Sequence, residues 1–200
     1  RSGIFPWYSE GQPILWWSPD PRTVLLPTAV SVSRSLRRTL RRGKFEVSFN
    51  QDFRGVILGC AGPRRDDAGT WILPEMIEAY ETLHSLGYAH SVEVWQDGQL
   101  AGGLYGVCGA ALGCAFFGES MFSRVSDASK VALVALCRVL SERGFALIDC
   151  QMYSPHLASM GAESVPRRDF LRELARATTT RCDTPWPTGR MPTPVLADDR

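Results

Sequence analysis

Two runs with a two-residue period meet at Gln96-Asp97-Gly98-Gln99. Ser91-Val92-Glu93-Val94-Trp95 alternates on one side, and Leu100 to Val107 returns on the other. An Asp-Gly pair between such runs is the strongest short-range signal of a β-hairpin. A Gly/Ala/Cys-rich stretch then turns the chain towards Ala115-Phe116-Phe117, so three antiparallel strands in a meander are expected. Next comes a helix capped by Ser126 or Asp127 and stopped by Gly144, with Leu133, Leu136, Cys137 and Leu140 on its buried face. Ala146-Leu147-Ile148-Asp149-Cys150-Gln151 reads as a central strand. The resulting β-β-β-α-β order constrains the fold most. Gly102, Gly103 and Gly106 do not open a helix, which disfavours a dinucleotide site.

Proline punctuates the first thirty residues and argues for extended and turn structure there. Ser31 to Arg42 is a helix with Val32, Leu36 and Leu40 as its apolar stripe. Arg34, Arg38 and Arg41 project from its far side, flanked by Arg37 and Arg42. A solvated face is the bland reading of that cluster. Against it, the arginines repel one another with no acid at i±4, and a planar guanidinium suits phosphate oxygens. Phe45–Phe49 is a strand, Asp52–Cys60 a helix, and Pro74 opens a helix to about Leu86, on which His84 is a surface residue. Arg167–Ala177 is a helix, and the Pro-rich tail from Thr178 is extended or disordered.

Two hundred residues with 44% hydrophobic and 22% charged content describe an ordinary globular protein. No apolar run reaches the roughly 18 to 20 residues that span a bilayer, so no membrane partner is expected. The six cysteines are scattered without metal-ligand spacing, and free buried thiols are expected rather than disulfides or zinc. A net charge of +1 hides the basic helix, which points to a local anionic partner.

Phe116-Phe117-Gly118-Glu119-Ser120-Met121-Phe122-Ser123 places a carboxylate inside an aromatic run, where burial costs several kcal/mol unless it is paired. Ser120 lacks the second glycine of a G-x-S-x-G elbow, and Cys150 has no activating histidine. Asp149 and Gln151, two apart on a strand, share one face. Glu119, Asp149 and Gln151 are therefore the candidate catalytic set. The strand order resembles GNAT-type acyltransferases, yet Met121 to Ser126 lacks the Q/R-x-x-G-x-G/A loop that binds pantetheine phosphates.

Several segments together resemble the leucyl/phenylalanyl-tRNA–protein transferase family. They are Gly3-Ile4-Phe5-Pro6-Trp7, Trp16-Trp17-Ser18-Pro19-Asp20-Pro21-Arg22, Gly69-Thr70-Trp71-Ile72, Val92-Glu93-Val94-Trp95, Gly118 to Ser123, Ile148-Asp149-Cys150-Gln151 and Pro166-Arg167-Arg168. The resemblance implies an α+β fold: a GNAT-like carboxy-terminal domain with a mainly antiparallel sheet flanked by helices, and a small, truncated amino-terminal α+β domain. Residues 1–22 would be its remnant with the aromatic site segment, 23–62 the rest with the basic helix, 63–177 the catalytic domain and 178–200 a flexible tail. It further implies a cytoplasmic, monomeric enzyme that needs no cofactor or metal. Such enzymes move Leu, Phe and less well Met from aminoacyl-tRNA to proteins beginning with Arg or Lys, creating a bacterial N-degron. A coenzyme A-dependent GNAT-like acyltransferase is the rival reading, with a plain RNA-binding module third.

By matching motif, the resemblance puts Trp7, Trp71, Tyr80 and the catalytic trio in the site. Leu104, Phe116, Leu136, Leu140 and Ile148 would form the amino-acid pocket, with Ser154 nearby, and Arg34, Arg38, Arg41 and Arg42 would contact tRNA. Three features differ from the family pattern. Some forty residues usually precede the Gly3 motif, Gly109 to Ala115 is about three residues longer, and Ser154 replaces an Asn or Thr.

Overall fold

The structure, a computed structural model, describes residues 2–62, 72–109, 112–182 and 185–197. The hairpin at Asp97-Gly98 forms as read, joining β5 (Ala89–Gln96) to β6 (Gln99–Gly109), and β7 (Gly113–Ser123) completes the meander. Helix α4 (Ala128–Glu142) then carries the chain to β8 (Leu147–Gln151), which pairs parallel with β7. Four further strands extend this core: β3 (Arg22–Leu25), β4 (Glu46–Phe49), β9 (Glu163–Val165) and β10 (Met191–Pro192). The eight lie in the order β10-β4-β5-β6-β7-β8-β3-β9, and every neighbouring pair but β7–β8 is antiparallel. A separate ribbon pairs β1 (Phe5–Pro6) with β2 (Trp16–Trp17). The protein is thus α+β, with one sheet running across the expected boundary at residue 62.

Side-chain alternation sends the two faces of the sheet to different helices. Val92, Val94, Leu104, Phe116 and Ile148 pack with the apolar face of α4 and with Leu36 and Leu40 of α1 (Arg34–Arg41). On the other face, Tyr105 packs with α2 (Phe53–Ala61) and α3 (Pro74–Ser85), while Ala115 and Leu147 pack with Phe170 and Leu174 of α6 (Arg167–Ala177). Ser33 caps α1 by accepting from Leu36 N. Asp127, expected to cap α4, has a left-handed backbone instead, and its carboxylate accepts from Thr39 Oγ1 and pairs with Lys130. His84 is not a free surface residue: its ring stacks on Phe53 at 4.3 Å and its Nδ1 contacts Ala89 O.

The tail corrects two expectations. Its described part is packed rather than loose: Met191–Pro192 adds a strand beside β4, Leu196 enters the core, and the Trp186 ring meets Phe49, His90 and Phe116. Cys182 on this segment is joined to Cys114 by a disulfide, so not all six cysteines are free. Their separation of 68 residues hid the pair until the tail's return was known. Cys60, Cys108, Cys137 and Cys150 take no part in a disulfide. Burial pushes Cys108 and Cys150 up to about 12, so neither is a ready nucleophile. Among the described residues no helix is long and apolar enough to cross a membrane, and no cluster could hold a metal ion.

The glycines of β6 serve close packing. A Cβ on Gly106 would stand 2.3 Å from Phe117 O and 2.4 Å from the Phe116 ring. Gly106→Ala is therefore expected to lower stability by about 1–3 kcal/mol, read as a lower urea midpoint; an unchanged midpoint contradicts this packing.

Candidate active site

Between Gly106 and Tyr105 of β6, the partner on β7 jumps from Gly118 to Ser120. Glu119 is the extra residue of that β-bulge. A bulge breaks strict alternation and re-aims one side chain, which is how an acid emerges from an aromatic strand. The Glu119 carboxylate accepts from Gln151 Nε2 at 3.3 Å and from the Tyr80 hydroxyl. Burial is the largest influence on its pKa and raises it from 4.5 to about 7, with Asp149 adding to the rise. The bonds from Tyr80 and Gln151, and the charge of Arg22, pull the other way. Burial likewise raises Tyr80 and Tyr105 well above 10, so both phenols stay protonated beside it.

Gln151 owes its position to a buried ion pair. Arg22 Nε donates to Asp149 Oδ1 at 2.8 Å and Nη2 to Oδ2 at 2.6 Å, with both side chains almost wholly excluded from solvent. The guanidinium also lies over the Phe5 and Phe170 rings at 4.9 and 4.7 Å. Asp149 Oδ1 accepts a further bond from Gln151 N at 2.9 Å, and Gln151 has φ of 63°. A non-glycine residue holds that left-handed conformation only where its surroundings impose it. Here the Asp149 carboxylate does so, and the Gln151 side chain is delivered to Glu119.

β7 and β8 stay paired only from Ala115/Leu147 to Phe117/Asp149, although β7 runs on to Ser123. A cavity of about 1030 Å³ lies along the parted strands. Leu104, Phe116, Leu136 and Ile148 line it with Leu133, and Trp7 and Ser154 stand in its wall. A second cavity of about 310 Å³ is lined by Arg22, Tyr80 and Asp149 together with Met76, Leu83 and Phe117. Glu119 and Gln151 line both. The hydrogen-bonded pair therefore separates two chambers, one large and lined by apolar side chains on one flank, one small with two carboxylates against one guanidinium.

The chain matches the family model described as leucyl/phenylalanyl-tRNA protein transferase over residues 24–175, and the model of that family's N-terminal domain over residues 1–20. It belongs to the leucyl/phenylalanyl-tRNA–protein transferase family. Relatives bearing that name include one from Azoarcus, 62% identical over 178 residues that cover 89% of this chain and 74% of the relative. Another, from Aromatoleum aromaticum, is 64% identical over the same coverage, and one from Solidesulfovibrio magneticus is 56% identical over 94% of this chain and 81% of its own. Among solved structures, L-PGS from Bacillus licheniformis aligns with a TM-score of 0.44 at 11% identity, covering 78% of this chain and 51% of that one. A conserved protein of unknown function from Bacteroides thetaiotaomicron aligns at 0.43 and 9% identity, over 78% of this chain and 55% of its own. The protein is an aminoacyltransferase enzyme of this family.

Against the residues that the family resemblance suggested, the structure brings Glu119, Gln151, Asp149 and Tyr80 together and lines the large cavity with four of the five aliphatic and aromatic candidates. Leu140 lies in the core behind that wall. The Ser154 hydroxyl is engaged in capping helix α5 (Pro155–Ser159), accepting from Leu157 N. Trp71 lies outside the described residues. Arg34, Arg38, Arg41 and Arg42 are exposed on α1 and its cap. Arg22 was not foreseen as a site residue, since its partner is 127 residues away. The signal available was its place at the head of the apolar strand Thr23-Val24-Leu25.

Removing one partner of a buried pair leaves the other charge uncompensated, which costs about 3–5 kcal/mol. Asp149→Asn is accordingly expected to lower the unfolding free energy by about that amount in urea titrations. A loss below about 1 kcal/mol, the scale of an exposed pair, contradicts the buried-pair account.

Proposed function

We propose that the enzyme transfers Leu, Phe and less readily Met from aminoacyl-tRNA to the N-terminal Arg or Lys of acceptor proteins, with the large cavity taking the donor and the small one the acceptor. The single observation that carries this reading is the Glu119–Gln151 pair lining both chambers, since a transferase must bring two substrates to one wall. The parallel β7–β8 pair that parts beyond Phe117 and Asp149 supports a GNAT-like sheet. Leu104, Phe116, Leu136 and Ile148 suit an unbranched-at-Cβ apolar side chain. Such pockets discriminate by only about 1–3 kcal/mol per methylene, so leakage to Met is expected. The acceptor's cationic end fits a chamber with two carboxylates and one guanidinium. Arg34, Arg38, Arg41 and Arg42 take the tRNA phosphates, giving salt-sensitive and largely sequence-independent binding. The product would carry a bacterial N-degron in the cytoplasm, made by a monomer without cofactor.

The donor ester is already activated, so holding ester and amine together supplies much of the rate, roughly 7–11 kcal/mol when well oriented. An α-amine has a pKa near 8, so about a tenth is neutral around pH 7. Its nitrogen attacks the ester carbonyl carbon and forms the C–N bond. The proton released from nitrogen passes to the Glu119 carboxylate, whose pKa of about 7 is matched to that task. Breaking the C–O bond frees the ribose oxygen, which takes the proton from Glu119, and the carboxylate is regenerated. Gln151 orients Glu119, and Asp149 acts through Gln151 and Arg22 as a positioning residue.

Labelled Leu is expected to move from leucyl-tRNA to an Arg-initiated peptide and not to depend on acetyl-coenzyme A. Acetyl transfer from acetyl-coenzyme A without leucyl transfer overturns the reading. The carboxylate form of Glu119 accepts the proton, so kcat/KM should rise with pH through about 7. Glu119→Gln should be slower by about 10²–10⁴-fold and lose the ionisation near 7, leaving only the rise set by the acceptor amine near about 8; retention of an ionisation near 7 assigns it elsewhere.

A further inference from the structure

The large cavity ends in a polar rim that the transfer chemistry does not use. Beyond Phe122 its lining turns to Ser123, Arg124, Ser126, Asp127, Ser129 and Lys130, and His156 lines it as well. At about 1030 Å³ the cavity is at the upper end for a drug-sized ligand, so it has room for more than a leucyl group. Lys130 is half-buried, its ammonium 3.1 Å from Asp127 Oδ1. The other oxygen of Asp127 accepts from Thr39 Oγ1 at 3.2 Å. Thr39 belongs to α1, next to Arg38 and two residues before Arg41. The basic helix is therefore tied by a hydrogen bond to the residue that holds Lys130 at the rim. Arg124 lies over the Phe122 ring at 5.4 Å and donates to Leu100 O. His156 Nε2 is buried with no hydrogen-bond partner among the described residues. Native structures seldom leave such an atom unpaired unless something else satisfies it.

We propose that Lys130 and His156 form a subsite for the single-stranded 3′ end of the tRNA, Lys130 binding a phosphate next to the terminal nucleotide and His156 a ribose hydroxyl. The inference rests on the functional reading above and names the path between its two parts. The arginines of α1 hold phosphates of the acceptor stem, and the Asp127-tethered lysine continues that positive track into the cavity. A lone lysine on a flexible stem suits this place, since it meets one phosphate as a point charge. Asp127 positions the ammonium and limits its attraction to anions in the empty site. Specificity follows: a donor must present phosphates at both α1 and the rim to reach Glu119 in register.

Transfer from leucyl-tRNA to an Arg-initiated peptide is measured for the wild type, Lys130→Gln and Lys130→Arg, at several salt concentrations. Inhibition by a non-hydrolysable leucylamido-adenosine, which carries no phosphate, is measured alongside. Lys130→Gln is expected to raise KM for leucyl-tRNA about tenfold and to flatten its log–log salt slope by about 0.7, the increment for one single-strand phosphate. Lys130→Arg should restore most of the loss. The tRNA-over-adenosine preference should fall by nearly the whole tenfold. An unchanged KM and slope in Lys130→Gln overturns the subsite, as does an equal loss for tRNA and the phosphate-free inhibitor. If the wild type itself transfers no leucine, the functional reading fails instead.

Discussion

The Arg22–Asp149 pair is the interaction on which the site depends. Two charges taken out of water cost several kcal/mol each, and only good geometry with every oxygen bonded offsets that. Here the fork of Arg22 meets both oxygens of Asp149, and the backbone of Gln151 takes one of them again. The pair joins β3 to β8 towards the β9 edge of the sheet, at the level where β7 and β8 part. It also holds Gln151 in a left-handed conformation that its own side chain does not favour. A residue distant in sequence thereby decides where an amide nitrogen stands.

That amide in turn shapes the character of Glu119. Burial alone would push the carboxyl further up, whereas donors from Tyr80 and Gln151 stabilise its charged form and bring it back to about 7. The balance has a stability consequence. A carboxyl whose pKa is higher folded than unfolded favours the fold at low pH, and this contribution fades as pH rises from about 4.5 to about 7. The protein thus gives up some stability near neutral pH by holding this carboxyl buried.

Much of the fold was legible because it is written in local pattern. The Asp97-Gly98 turn, the body of α1, the Pro74 start of α3 and the span of α6 all follow from neighbours within a few residues, although α1 starts at Arg34 rather than Ser31. What escaped depends on distant parts of the chain. The bulge that re-aims Glu119 arises from a mismatch with β6, and Arg22 finds Asp149 across most of the sequence. The tail looked loose because prolines disfavour regular structure, yet Trp186, Leu196 and the Cys114–Cys182 disulfide fasten it to the sheet. The candidate trio was found from residue types alone, but the division of labour within it was not. Only the bonds show Asp149 already engaged and Glu119 at the meeting of two cavities.

Glu119 is a carboxyl raised to about 7 on the wall between two cavities. Its titration can be followed directly by carbon NMR of the side-chain carboxyl in glutamate-labelled protein, with Glu119→Gln identifying the resonance. A midpoint near 7 is the predicted result. A midpoint near the ordinary glutamate value of about 4.3 would mean that Glu119 is not the buried carboxyl described here.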